Sequence, residues 1–196
     1  MSRARASRRI VKQLRRADEA AAGMAAPYRG TPAVEAASVF SEISDQPQMR
    51  LLSAALIGAG LIAGKRRLAT AGARMLAAHE VATLAKDLVK NRVDRHRPRS
   101  AARARQKEPR PGSSHRKEVT SFPSGHSAGA TAAALAFSRE YPLARPVTLA
   151  LAGVAALAQV PRRAHYLTDV IAGVAVGVAA EALSNAISRV SAGGSR

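Results

Sequence analysis

Long stretches of this chain carry no charge, and the breaks between them are short and basic. Leu51 to Gly64 is fourteen uncharged residues, closed by Lys65-Arg66-Arg67. Leu68 to Lys90 follows as a long run with few charges, Arg74, Glu80 and Lys86 among them. Val119 to Ser138 is free of charge apart from any on His126, Arg139 to Arg145 is a turn, Pro146 to Pro161 is uncharged, and Asp169 precedes a last run from Val170 to Ala180. These lengths and spacings predict five apolar helices. Ahead of them, Val34 to Ile43 is spaced for a short amphipathic helix bounded by Pro27, Gly30, Pro32 and Pro47, suited to a membrane interface.

Residues 1–22 lack such a pattern. They hold seven basic residues (Arg3, Arg5, Arg8, Arg9, Lys12, Arg15, Arg16) against Asp18 and Glu19. No apolar h-region follows, so no secretory signal peptide is expected. Two readings stand, a polybasic segment lying on anionic lipid and a solvated tail. The fold class is therefore all-α, a helical bundle. Residues 1–48 form a basic N-terminal segment with its amphipathic helix, 49–190 the bundle, and 91–122 a connecting loop. A membrane span needs about 20 apolar residues, and several of these runs are shorter and rich in Ala and Gly. Small residues suit close packing in lipid and in a soluble bundle alike.

Composition narrows the partners. The formal charge is +18, from 31 Lys and Arg against 13 acids, which calls for a polyanion, an anionic membrane surface or an anionic substrate. With no cysteine, disulfides and thiolate metal sites are excluded. The five histidines are scattered, without a pair at metal-ligand spacing, so no metal site is expected. The connection from Lys90 to Lys117 contains eleven basic residues against Asp94 and Glu108, and no aromatic residue interleaves with them to stack on bases, which speaks against nucleic acid as the partner. Its distal half, Ala101 to Lys117, is expected to be mobile.

Three stretches carry candidate chemistry. Ser121-Phe122-Pro123-Ser124-Gly125-His126-Ser127 reads as a helix start, whose unpaired N–H groups and positive dipole end cradle an anionic oxygen beside a group that titrates near neutrality. Lys90 and Arg97, seven residues apart at a helix end, suit convergence on one anion, the lysine as a point charge and the arginine as a planar fork fixed by Pro98. His165 and Asp169 lie four apart on one helical face, so the carboxylate accepts from one ring nitrogen and leaves the other as a lone-pair nucleophile. Each stretch alone also has a bland reading, as a turn, a charged loop or a helix-start contact.

Taken in order, K-x6-R-P at 90–98, P-S-G-H at 123–126 and H-x3-D at 165–169 resemble the type-2 phosphatidic acid phosphatase and vanadium haloperoxidase superfamily, over roughly residues 50–185. The resemblance implies a phosphate clamp of Lys90 and Arg97, with Ser124 and Gly125 as further donors to the phosphoryl oxygens. It implies His126 as the general acid, His165 as the nucleophile that forms a phosphohistidine, and Asp169 as its orienter. It implies neither metal nor other cofactor. It also implies an integral, multi-pass membrane protein of about five spans, of the bacterial inner-membrane kind. The positive-inside rule then sets the site toward the cytoplasm.

One position departs from the family pattern. An arginine normally lies six residues before the nucleophilic histidine and completes the clamp; here that place is Gln159, after Ala158. Losing a charge-assisted bidentate contact costs on the order of 2–4 kcal/mol in the transition state. Gln159 can hydrogen-bond phosphate but brings no charge; Arg162 or Arg163 could swing in, though neither sits at the matching position, and a gain in Gln159→Arg would mark the missing charge as limiting. The expected function is hydrolysis of a lipid phosphate or polyprenyl pyrophosphate, with membrane lipids as surroundings. The rivals are a catalytically weak or silent phosphate- or lipid-binding relative, a vanadate-dependent haloperoxidase, and a basic nucleic-acid-binding bundle.

Overall fold

The structure is a computed structural model that describes residues 3–100, 109–114 and 116–193. Most of the segment expected to be mobile, 101–108 and 115, lies outside the described residues. Among the described residues seven α-helices follow one another: α1 Arg3–Ala25, α2 Pro32–Ser41, α3 Gln46–Ile62, α4 Arg66–Lys90, α5 Gly125–Glu140, α6 Arg145–Leu157 and α7 Leu167–Gly193. The five apolar runs are α3 to α7, and the amphipathic segment is α2. Strand structure among the described residues is one antiparallel pair, β1 Val93–Asp94 with β2 Arg110–Pro111.

The helix boundaries follow from local chemistry. Thr31 caps α2, its hydroxyl accepting from Val34 N, with Pro32 at the first position where a missing N–H costs nothing. α3 ends ahead of Gly64, whose φ of 64° is the left-handed turn that the basic break requires. Ser124 caps α5 by accepting from Ser127 N, so that helix starts where the Pro-Ser-Gly sequence predicts.

The bundle is packed with small residues. One core cluster joins Ala78, Ala82, Ala128, Ala132, Ala136 and Ala180 from α4, α5 and α7. Between α5 and α7 the approach is closer than any side chain allows. A Cβ at Gly173 would collide with the Ser124 carbonyl, and one at Gly177 with the Ala128 carbonyl. The first turns of α5 are thus pressed directly on α7, which is what brings Ser124 to Asp169.

Large apolar side chains lie on the outside. Ile62, Leu143 and Val190 are 91%, 98% and 77% exposed, and Leu51, Leu61, Leu84, Val147, Leu157 and Ile171 are also exposed. The largest fully buried side chains include Gln159, Asp169, Ser121 and Ser124. This inverts the distribution of a soluble protein. By length and composition α7 is apolar enough to cross a bilayer; Pro142–Leu157 is apolar but shorter.

The basic N-terminal segment is a 23-residue helix, where the sequence reading offered a lipid-bound segment or a solvated tail. The charges hide its docking side: Asp18 and Ala21, three apart, are buried against the bundle, and the basic residues Arg9, Lys12 and Arg16 remain exposed.

Candidate active site

Three distant segments meet at the N-terminal ends of α5 and α7. The loop after α4 runs beside the segment entering α5, with Arg95 N donating to Val119 O (2.8 Å), Arg97 N to Glu118 O (2.9 Å) and Ser121 N to Arg95 O (3.0 Å). This ladder fixes the backbone from which Arg95 and Arg97 project. The segment entering α5 is tied in turn to α7, because Ser124 N donates to Asp169 O at 3.0 Å. The turn between α6 and α7 is closed by the Gln159 carbonyl, which accepts from Ala164 N (3.1 Å) and His165 N (3.2 Å). Arg163 in that turn sits at φ 56°, a left-handed conformation uncommon for a non-glycine residue.

At the centre, His165 and Asp169 are 2% and 0% exposed. His165 Nδ1 lies 3.6 Å from Asp169 Oδ2, just beyond hydrogen-bond length. His165 Nε2 lies 3.4 Å from Arg97 Nη1. A guanidinium has only donors, so this contact makes Nε2 the bare nitrogen and leaves the ring proton on Nδ1, toward Asp169. Burial pushes the His165 imidazole down to about 4, the pull of Asp169 toward a higher value notwithstanding, so the ring is neutral at pH 7.

Asp169 is held from several directions. Its Oδ2 accepts from Ser121 Oγ and from Tyr166 N (2.9 Å), and its Oδ1 from Arg95 Nη1 (2.5 Å). A buried carboxylate with this many donors is fixed in place and ionised. Arg97 is also buried and donates to Ala164 O at 3.3 Å.

The other predicted residues surround this centre. Lys90, the last residue of α4, is half-buried and close enough to Arg97 and Asp169 to interact with both electrostatically. Gly125 starts α5, and a Cβ there would stand 3.2 Å from Lys86 Cδ, so a second lysine lies across this helix end. Ser124 is fully buried and accepts from Ser127 Oγ (2.8 Å). His126 is in the first turn of α5, its Nε2 3.2 Å from Asp45 Oδ1. Glu42, Asp45 and His126 each offer one potential ligand atom within 4.8 Å of the others. Glu42 is already paired with Arg162 at 2.8 Å, which holds its carboxyl below the usual carboxylate range, and a dication there would have to displace that guanidinium.

The Gln159 side chain is held by α2 and α6. Its amide donates to Ser41 Oγ (3.2 Å) and Ala155 O (3.1 Å) and is 1% exposed. Arg162 Nη1 donates to the same Ser41 hydroxyl at 2.9 Å, and its guanidinium is near enough to His126 to act on it electrostatically. Arg163 Nη2 donates to Pro98 O at 3.2 Å. A guanidinium therefore shares the Ser41 hydroxyl with the glutamine that stands at the expected arginine position.

Sequence reasoning missed Arg95, Ser121, Asp45 and Asp18. Arg95 was lost among eleven basic residues, and Ser121 was read only as the start of a stretch. Asp45 lies outside every motif. Asp18 had one signal, its place with Glu19 as the two acids of a basic segment.

A family model described as the PAP2 superfamily matches residues 67–191. The fold is similar to the crystal structure of a transmembrane PAP2-type phosphatidylglycerolphosphate phosphatase from Bacillus subtilis, with a TM-score of 0.62 and 20% sequence identity, covering 90% of this chain and 87% of that one. No significant match was found among curated proteins. The matched region contains all three motifs, and the helices that carry them bring the motifs together: the chain belongs to the PAP2 superfamily of phosphatases.

Proposed function

We propose that the protein is a multi-pass membrane phosphatase that removes a phosphoryl group from a lipid phosphate or polyprenyl pyrophosphate through a phosphohistidine on His165. The observation that carries this reading is the contact of Arg97 with His165 Nε2, opposite the Asp169 side of the ring. A phosphoryl group at that nitrogen meets the Arg97 fork, Lys90 and the donors at the start of α5 together. Its attachment to the membrane is supported by the large apolar side chains on the outside of an alanine core. A cavity of about 610 Å³ adjoins His165 on the Arg95 and Asp18 side, where Val11, Leu14, Phe122 and Leu167 line it together with charged side chains of α1; Lys90, Arg97 and His126 do not line it.

The steps balance without a co-reactant other than water. His165 Nε2 attacks phosphorus as the bond to the leaving oxygen breaks, and His126 gives that oxygen its proton. Asp169 compensates the positive charge that develops on the His165 ring. Water then attacks the phosphohistidine with His126 taking its proton, the P–N bond breaks, and His165 returns to its bare form as inorganic phosphate leaves. Asp45 Oδ1, 3.2 Å from His126 Nε2, is placed to pair with the ring when it carries the proton that the first step uses.

The test is phosphate release in detergent from phosphatidic acid, phosphatidylglycerophosphate and a polyprenyl pyrophosphate, with EDTA present. Turnover of at least one of the three is expected. Absence of release from all three favours a silent relative, and vanadate-dependent bromide oxidation a haloperoxidase. Because His165 is neutral down to about pH 4, protonation of the nucleophile should remove kcat/KM only as pH falls through about 4. A limb near 6.5 that shifts when His165 is replaced would contradict this.

Arg162 is assigned the charge that Gln159 lacks. Arg162→Gln is expected to lower kcat/KM by about 10- to 100-fold. Gln159→Arg, which buries a second guanidinium beside the first, should gain less than about threefold. A large gain in Gln159→Arg with a parental Arg162→Gln would show that the missing charge limits the protein.

A further inference from the structure

We propose that Asp18, on the docked N-terminal helix, is a positioning residue for His165, acting through Arg95 and Asp169. The inference rests on the assignment of His165 as nucleophile. Asp18, Arg95 and Asp169 are three buried charges in one row, 5%, 6% and 0% exposed. The Arg95 guanidinium bridges the two carboxylates, with Nη1 2.5 Å from Asp169 Oδ1 and Nη2 2.6 Å from Asp18 Oδ2.

Asp18 also reaches the helix that carries Asp169. Its Oδ1 accepts from Thr168 N and its Oδ2 from Thr168 Oγ1, both at 2.9 Å. Thr168 Oγ1 receives Arg95 Nη1 at 2.7 Å as well. A residue 150 positions away thus caps the first turn of α7, immediately before Asp169. Arg95 is further fixed by the Tyr166 ring, 4.0 Å from its guanidinium carbon. Of the three described donors to the Asp169 carboxylate, Arg95, the one that carries a charge, is the one Asp18 holds; Ser121 and the Tyr166 amide are independent of it.

Docking alone is a poor account of this carboxylate. The apolar residues on the same helix, Ile10, Val11 and Leu14, stay 55%, 44% and 49% exposed, so α1 buries little apolar surface there. Its contact is concentrated on a charge whose removal from water is costly unless it is fully paired. With Asp18 neutral, the Arg95 charge falls on Asp169 alone. Asp169 is then drawn toward Arg95 and away from His165 Nδ1, already 3.6 Å distant, so its hold on the Nδ1–H form weakens and the single ring tautomer relaxes.

The experiment compares the full chain with Asp18→Asn and, as a control, exposed Lys12→Gln. It reads kcat, KM, melting temperature and the tautomer of His165 by nitrogen-15 NMR of labelled histidine, assigned with His165→Gln. Asparagine keeps an oxygen for Thr168 N, so the cap survives. Asp18→Asn is expected to lower kcat about tenfold, the low end of the roughly 10- to 100-fold scale for groups that orient a functional side chain, since Arg95 and Asp169 stand between Asp18 and the ring. KM should stay within about twofold, and the Nδ1–H form should give way to a mixture. Asp18→Glu, which keeps the charge, should return most of kcat. A lower melting temperature with parental kcat and tautomer would overturn the proposal and leave Asp18 as a docking contact. If the parent releases no phosphate, the functional reading fails, while the tautomer still decides the role of Asp18. Should Asp18→Asn be isolated unfolded, Asp18→Ser takes its place with the same two outcomes.

Discussion

Replacement of His165 by alanine is expected to lower kcat for lipid phosphate hydrolysis at least about a thousandfold, the usual scale for removing a covalent nucleophile. The physical reason is that no other described group presents a lone pair at this place. Lys90 and Arg97 are cations, Asp169 is occupied by Arg95, Ser121 and Tyr166, and Ser124 Oγ accepts from Ser127. Binding should survive, because Lys90, Arg97 and the α5 helix end do not depend on the ring. Phosphate release and inhibition by inorganic phosphate, measured side by side, check both halves. A variant that keeps the parental rate would remove His165 from the mechanism.

Asp169→Asn is expected to cost about 10³- to 10⁴-fold in kcat with little change in KM, by the logic that applies to the aspartate of a serine-protease triad. The asparagine has nearly the shape of the carboxylate and keeps one oxygen. It offers an N–H at one of the two oxygen positions: at Oδ2 it confronts Ser121 Oγ, Tyr166 N and His165 Nδ1 with a donor, and at Oδ1 it does the same to Arg95. If the amide nitrogen faces His165, the ring proton moves to Nε2 and the lone pair turns away from the phosphoryl site. The fold should persist, because Asp18 still pairs with Arg95 at 2.6 Å. A stable Asp169→Asn protein with parental kcat would show that the carboxylate is structural.

The five apolar helices were legible because each run is bounded by charges or prolines that stop it, Lys65-Arg66-Arg67 being the sharpest. The motif residues were legible because they sit at helix ends, where chemistry and capping use the same residue types. α1 was not legible, since its arginines and lysines make it read as a tail and its docking depends on one carboxylate finding Arg95 across 77 positions. The consequence of Gln159 was not legible either. Where Arg162 lies is set by the left-handed turn at Arg163 and by Ser41 and Glu42 from α2 and the turn after it. Those are tertiary facts that no spacing along the chain expresses.

Small residues in the interior explain why hydropathy left the surroundings of the bundle open. Alanine and glycine give a weak apolar signal in α4 and α5, yet they permit the contact of Gly173 with Ser124 that builds the site. The large exposed apolar side chains are leucines, isoleucines and valines, and which face they occupy is known only once the helices are packed.

The covalent step is tested most directly by reacting His126→Ala with an aryl phosphate, whose leaving group needs no proton, quenching in alkali and locating phosphate by mass spectrometry. Without His126 to activate water, the intermediate should accumulate as about one phosphate per chain on His165. Aryl alcohol released with no phosphate on the protein, or with phosphate on another residue, would contradict the account.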